Sequence, residues 1–299
     1  MHGKKTLLTL LALGLVSACA AQKPARSPAA FSGASALAFT AKAVSFGARP
    51  PGSPAIRKLQ DYITGQLKKY RCEVTIDAFT AQTPIGPVQM RNIIAHFRGT
   101  SGRAVAVTGH YDTKYMPGIN FVGANDAGSS TGFLLELARV LSARPFQNDV
   151  YVVWLDGEES FGPWSDTDGV YGSRHLAAKW AADGTLGRLK ALINVDMIGD
   201  RELGILQDMN SSESLRRLIW ATAAELGYSH YFLNDPGAIV DDHIPFIQRG
   251  VNAVDLIDFD YGPNNSYWHT EKDTMDKLSA DSLQVVGDVV IETLKKLDR

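Results

Sequence analysis

Glu158 and Glu159 stand side by side just past the apolar run Val150-Tyr151-Val152-Val153-Trp154-Leu155. That run reads as a buried strand. Ionised carboxylates buried without partners cost several kcal/mol, so packing does not explain the pair. Other donors also sit at or just beyond apolar runs: His110-Tyr111-Asp112, Asp126, Asp196 and His269. Donors of these types hold zinc, with one position left open in a catalytic site, although other divalent metals accept the same set. The carboxyl edge of an open α/β sheet is where ligands usually bind. The pattern predicts a zinc enzyme.

Each donor also has a plainer role. Asp126 lies in Gly123-Ala124-Asn125-Asp126-Ala127-Gly128-Ser129-Ser130, a turn leading into a helix, where an aspartate can simply cap. The glycines of that turn let the backbone approach closely. His110 reads equally as a ligand, a partner of the ligands or a satisfied core histidine. Asp112 shares its side of an extended strand and can orient its ring. His269 follows Trp268 in a stretch rich in Asn, Gly and Tyr; alone it is a loop histidine. A single tryptophan, such as Trp164, is by itself a core residue.

The elements that must position these groups are legible in outline. Helical patterns run over Ala34–Phe46 and Ser53–Tyr70, broken by Arg49-Pro50-Pro51-Gly52, with Ser53 and Pro54 suited to a helix start. Two roughly alternating strands come next, Glu73–Phe79 and Gln89–Phe97, joined by a turn containing Pro84, Gly86 and Pro87. Ala104–Thr108 and Val150–Leu155 are continuous apolar runs, as in strands covered on both faces. A helix from Ser129 to Ser142 lies between them, and Leu192–Ile198 and Ala253–Ile257 add further strands. Helices near His175–Ala182, Ser212–Leu226 and Ser279–Leu297 fill the connections. The expectation is one α/β domain over residues 31–299: a twisted, mixed but mostly parallel sheet flanked by helices, with the first two strands as an antiparallel edge.

The start of the chain carries an address. Lys4 and Lys5 precede the apolar run Leu7–Val16 and then Ser17-Ala18-Cys19. This is an export signal, too short for a membrane span of roughly 20 apolar residues. Val16-Ser17-Ala18-Cys19 resembles the bacterial lipoprotein signal. That implies a signal peptide over 1–18, lipidation of Cys19, and a place in the bacterial cell envelope with membrane contact through the lipid alone. An ordinary cleaved signal is the alternative. Residues 19–30, rich in Pro, Ala and Ser from Gln22 onward, then read as a flexible tether.

Only Cys72 remains besides Cys19, so no intrachain disulfide is expected, and Cys72 reads as a packed thiol. A formal charge of −2 without a basic cluster argues against a nucleic-acid partner.

Read together, the motifs resemble a known family. His110-Tyr111-Asp112, Gly123-Ala124-Asn125-Asp126, Asp156-Gly157-Glu158-Glu159, Asp196-Met197-Ile198-Gly199 and His269 occur in the order of the co-catalytic zinc aminopeptidase superfamily. Asp156–Phe161, Trp164, Tyr171–Lys179, Asp241-Asp242-His243-Ile244-Pro245-Phe246 and Trp268-His269-Thr270 are similar to the animal-type glutaminyl cyclases. The resemblance implies one zinc per chain held by Asp126, Glu159 and His269. It implies Glu158 as proton carrier in a hydrogen-bonded network with Asp196 and Asp241, and His110 and Asp112 behind the ligands. Trp164 and Trp268 would wall the pocket, and the substrates would be peptides or proteins beginning with glutamine. The runner-up is a zinc aminopeptidase with a second metal on His110 and Asp196.

Four departures from that family stand out. Gly109 and Thr131 occupy the positions of a disulfide. Asp255 replaces a histidine and Val240 a glutamine near the proton network. The stretch Asp258–Tyr267 is longer, and one of its aromatics is expected to replace a pocket phenylalanine.

Overall fold

The computed structural model describes Gly3 and residues 30–299, so the signal run, Cys19 and nearly all of the tether lie outside the described residues. Two helices, α1 (Gly33–Val44) and α2 (Pro54–Leu67), open the fold. Ser32 and Ser53 cap them, their side chains accepting from the Ser35 and Ile56 amides. A hairpin of β1 (Glu73–Thr83) and β2 (Gly86–Phe97) comes next, with Thr83 paired to Gly86 across a turn at Pro84 and Ile85. The chain continues through β3 (Ala104–His110), α3 (Gly128–Ser142), β4 (Asp149–Leu155), α4 (Tyr171–Ala182) and β5 (Leu189–Asp196). Its last third adds β6 (Ile205–Asp208), α5 (Glu213–Glu225), β7 (Phe232–Gly237), α6 (Ile244–Ile247), β8 (Ala253–Ile257) and α7 (Ala280–Leu297).

Six strands form the central sheet in the order β1-β2-β4-β3-β5-β8. The β1–β2 and β2–β4 pairs are antiparallel, whereas β4, β3, β5 and β8 run parallel. Every residue of β3 and of β4 is buried, which is why neither shows a polar alternation. Their side chains still divide by parity. Val105, Val107, Val150, Val152 and Trp154 join the core beneath α1, α2, α3 and α7. Ala104, Ala106, Tyr151, Val153 and Leu155 join the opposite core with Leu176 and Trp180 of α4 and Phe246 of α6. The α1–α3 contact is close enough that a Cβ on Gly132 would lie 2.5 Å from the Ala36 carbonyl oxygen.

The structure corrects several boundaries. The strand expected over Leu192–Ile198 runs from Leu189 to Asp196, because Met197 turns into the left-handed region at φ 49°. Helix α4 starts at Tyr171, four residues before the expected His175, and Gly172 lies where any Cβ would strike Asp156. The two-stranded parallel pair β6–β7 has no counterpart in the sequence reading. It is short, and β7 carries Asn234, Asp235 and Pro236 on a mostly exposed ribbon, so neither hydrophobic period appears. Cys72 is half-buried, and desolvation lifts its thiol to about 11, so it is inert near neutral pH. Among the described residues no helix is long and apolar enough to cross a membrane.

Helix α4 is tied to the edge hairpin through Asp77, whose Oδ1 lies 2.6 Å from Lys179 Nζ and 3.3 Å from His175 Nε2. Burial pushes this carboxyl up, but Lys179, His175 and Asn92 together hold it below its usual range. A depressed folded-state value contributes stability above the unfolded pKa and loses it as pH falls through the folded one. Urea unfolding of Asp77→Asn should therefore show a loss of stability at neutral pH that shrinks below about pH 4. A difference constant with pH would show that the ion pair contributes nothing.

Candidate metal centre and active site

His110 closes β3 and Asp196 closes the neighbouring β5, so the parallel register brings both to one edge of the sheet. His110 Nε2 lies 3.1 Å from Asp196 Oδ1 and 3.2 Å from Asp126 Oδ1, and Nδ1 lies 3.4 Å from Asp112 Oδ1. Burial opposes charging of this imidazole, but the three carboxylates prevail and raise it well above its ordinary value.

Asp126 is presented by the loop that enters α3. Gly123 sits at φ 52°, where a Cβ would collide with the Asp126 carbonyl, so only glycine fits the turn. The Asp126–Ala127 peptide is cis. Two groups absent from the sequence reading hold this loop. Asp273 accepts from the amides of Asn125 at 2.8 Å and Asp126 at 3.1 Å, and the Tyr261 hydroxyl donates to it at 2.7 Å. Arg49 lies fully buried, its guanidinium donating to the carbonyls of Gly47, Val122 and Gly123 at 2.9, 2.7 and 3.0 Å. Burial lowers Arg49 to about 10, against the pull of Asp273, Asp112 and Asp126.

The chain leaves β4 and reaches the paired glutamates through Gly157, at φ 71°, whose Cβ would meet Met90 Sδ at 2.6 Å. Asp112 accepts from the backbone amides of Glu158 at 3.2 Å and Glu159 at 3.3 Å, so one carboxylate aims both residues. Its role thus extends beyond His110. Glu159 Oε1 lies 2.9 Å from His269 Nε2, while its other oxygen takes the Lys114 ammonium at 3.1 Å. His269 Nε2 is also 3.2 Å from Asp126 Oδ2. A left-handed backbone at φ 52°, the edge of Phe121 and a stacked Trp268 fix the His269 ring.

These donors form two groups that share Asp126. Asp126, Glu159 and His269 make one, and His110, Asp126 and Asp196 the other, with the ligand atoms of each within 4.8 Å of one another. Two carboxylates and an imidazole converging on one point fit a zinc ion, and the first group opens on a cavity that would leave a coordination position free.

That cavity, about 490 Å³, is lined by Glu158, Asp196 and Asp241 on its acidic side. Trp164, Trp268, Val240 and Phe259 line its apolar side. Trp164, 42% exposed, stands at the rim over Gly169, where a Cβ would come within 2.9 Å of the indole. Its loop is closed by Asp168, which accepts from the Phe161 and Gly162 amides and from the Tyr171 hydroxyl. Of the aromatics in residues 258–267, Phe259 lines the pocket and Tyr261 turns inward to Asp273. Gly109 leaves no room for a side chain, since a Cβ there would lie 2.7 Å from the Val195 carbonyl oxygen.

Glu158 is raised well above the ordinary range by burial, with Asp241 and Glu159 adding and His110 opposing. Asp196 is pushed up to about 7, again first by burial. The hydrogen bonds observed here run from His110 to Asp196 and from Asn194 Nδ2 to Asp241 at 3.0 Å. Glu158 is coupled to Asp241 through their charges rather than by a direct bond.

Lys114, Arg49 and Asp273 have no site role in the sequence reading, which expects a pocket aromatic within 258–267 without singling out Phe259. Arg49 read as part of a helix break, and Asp273 has no apolar run beside it. Only the spacing of Lys114, two residues beyond Asp112, could have drawn attention.

Comparison with known proteins agrees with this geometry. Residues 92–294 match the model of peptidase family M28. A glutaminyl-peptide cyclotransferase of Drosophila melanogaster is 31% identical over 257 residues, covering 76% of this chain and 72% of that one. The crystal structure of an Acidobacteriales bacterium glutaminyl cyclase is 41% identical with a TM-score of 0.88, covering 93% of this chain and 99% of that one. A Zn-dependent exopeptidase from Parabacteroides distasonis is 27% identical with a TM-score of 0.80, covering 89% and 98%. The chain belongs to peptidase family M28 and, within it, to the glutaminyl-peptide cyclotransferases.

Asp273 offers a test of the loop that presents Asp126. Asp273→Asn sets an amide where two backbone N–H groups and a hydroxyl now donate, and should cost about 1–3 kcal/mol. Denaturant unfolding checks this, and a loss below that range would remove Asp273 as the clasp.

Proposed function

We propose that the protein converts the N-terminal glutamine of peptides or proteins to pyroglutamate with release of ammonia, using one zinc held by Asp126, Glu159 and His269. The observation that carries this reading is Glu158: a buried carboxyl lining a pocket with Trp164 and Trp268, next in the chain to Glu159 of that donor set and raised above its ordinary range by burial. When bound, zinc would supply Lewis acidity to the side-chain amide oxygen of the substrate.

The remaining work falls to this chain's own side chains. Glu158 takes a proton from the α-amine as that nitrogen bonds to the amide carbon. The same carboxyl then gives the proton to the departing nitrogen, which leaves as ammonia while the C–N bond of the amide breaks. No water is consumed. A carboxyl raised towards neutrality can do both, and burial and crowding by Asp241 supply the shift. Both reacting groups lie on one residue, so the five-membered ring closes without gathering two molecules. Trp164 and Trp268 flank the pocket and keep water from competing. Lys114 occupies the second oxygen of Glu159, which leaves the first turned to the metal position.

A dinuclear zinc aminopeptidase is the second reading, favoured by the donor group His110, Asp126 and Asp196. In the cyclase reading that group is closed without metal, His110 donating to Asp196. The lipoprotein reading of Cys19 completes the proposal: an exported enzyme tethered to a membrane of the bacterial cell envelope, with no nucleic-acid partner.

Purified protein given a glutaminyl peptide should release ammonia and a pyroglutamyl product in equal amounts, and should act little on a leucyl amide. Rapid cleavage of the leucyl amide with two zinc ions per chain would install the aminopeptidase reading instead. Among variants, Glu158→Gln should retain its zinc yet lose about a hundredfold or more in turnover. His269→Ala should lose both, as read by metal analysis alongside rate. Near-normal turnover in Glu158→Gln would remove Glu158 from the proton path.

A further inference from the structure

Beneath the pocket lies an acid that the reaction does not use. Asp255 sits at the middle of β8, wholly buried, directly opposite Asn194 of β5. Its Oδ1 accepts from Asn194 Nδ2 at 3.1 Å, and the same nitrogen reaches Asp241 Oδ2 at 3.0 Å. Its Oδ2 is buried with no partner among the protein atoms.

The groups around Asp255 carry mostly one sign. The charges of Asp241, Asp196 and Asp208 all act against its ionisation. His243, just ahead of α6, approaches the cluster, but its Nε2 lies 3.0 Å from Asp208 Oδ2. Arg216 from α5 spends Nη1 on the backbone carbonyls of Asp208 and Ser211. Asp208 is served quite differently. It accepts from the Ser211 hydroxyl at 2.6 Å and from the amides of Ile239 and Asn210 at 3.0 and 3.1 Å, as an ionised acid should. Asp255 has one donor and no cation. A buried carboxylate so placed takes up a proton rather than bear the charge.

We infer that Asp255 is a neutral carboxylic acid which, together with Asn194, positions the Asp241 carboxylate beside Glu158. The Asn194 amide ties the two acids together, and the O–H falls on Oδ2, the oxygen that Asn194 leaves unserved. Asn194 Nδ2 gives one N–H to each acid, so a neutral Asp255 lets that amide hold Asp241 without adding charge to a floor already crowded with it. Asp255 is a positioning residue: it lines no part of the cavity and touches no reacting atom. Its kinetic effect rests on the cyclisation reading; its protonation does not.

Two measurements on the full zinc-loaded protein decide the matter. The first is the infrared difference between wild type and Asp255→Asn at mildly alkaline pH, with aspartate carboxyls isotope-labelled. It should show loss of one carbonyl stretch of a protonated acid; buried Asp156 and Asp242, present in both proteins, cancel. The second is kinetic. Asp255→Asn, neutral and still an acceptor for the Asn194 amide, should keep kcat within about threefold, whereas Asp255→Leu should lose about tenfold or more in kcat with KM and zinc content little changed. A difference spectrum showing an ionised carboxylate lost instead would overturn the inference, as would equal kcat losses in the two variants. Should wild type prove not to cyclise glutamine, the infrared arm still reports on Asp255 alone, so the two failures are distinguishable.

Discussion

The structure is organised around buried negative charge. Asp112, Asp126, Asp156, Glu159, Asp196, Asp241, Asp242, Asp255 and Asp273 are all buried around the same end of the sheet. Such a collection would burst the fold if every member were ionised and unpartnered. Three kinds of compensation meet it. Fixed cations supply one, with Arg49 below the Asp126 loop and Lys114 on Glu159. Backbone amides supply a second, serving Asp112, Asp156 and Asp273. A raised proton affinity is the third, at carboxyls such as Asp156 and Asp242 that burial pushes well above their ordinary range. What remains concentrated around Asp126, with the imidazoles of His110 and His269, is the demand for a divalent cation.

The sheet makes this concentration possible. Four parallel strands end together, so the residues that close β3 and β5 meet without long connections. Left-handed backbone then aims the chain at three places: Gly157 ahead of the glutamates, Met197 after Asp196 and His269 itself. Non-glycine residues adopt that conformation at a cost in backbone energy, and a surrounding network must hold them there. Around His269 it is two carboxylates and two aromatic rings.

Much of this was legible in the chain because function leaves a mark when it breaks a local rule. Acids at the end of an apolar strand, or a histidine closing one, contradict the pattern around them and so announce themselves. Strands β3 and β4 were recognisable from continuous apolar runs, which arise directly from helices on both faces. The residues that escaped notice break no such rule. Arg49 serves carbonyls and Asp273 serves amides, contacts made by three-dimensional loops that no spacing encodes. Helix α4 began earlier than expected because Gly172, a poor helix former by propensity, is the residue that lets its first turn sit against Asp156.

One fold serves both cleavage and cyclisation because the two reactions differ in the nucleophile, not in the proton carrier. A carboxylate in the place of Glu158 can deprotonate water or an amine equally well. Which one it meets depends on what reaches the amide carbon first. An open centre with a second cation would deliver hydroxide; under the proposed cyclisation, a pocket lined by Trp164, Trp268 and Phe259 would exclude water and leave the substrate's own amine nearest. The His110–Asp196 bond pulls the same way, since each of these donors already satisfies the other. Under the proposed cyclisation, selectivity for ring closure would reside in hydrophobic walls and one buried hydrogen bond, while the acid and its neighbouring donor set would stay common to both chemistries.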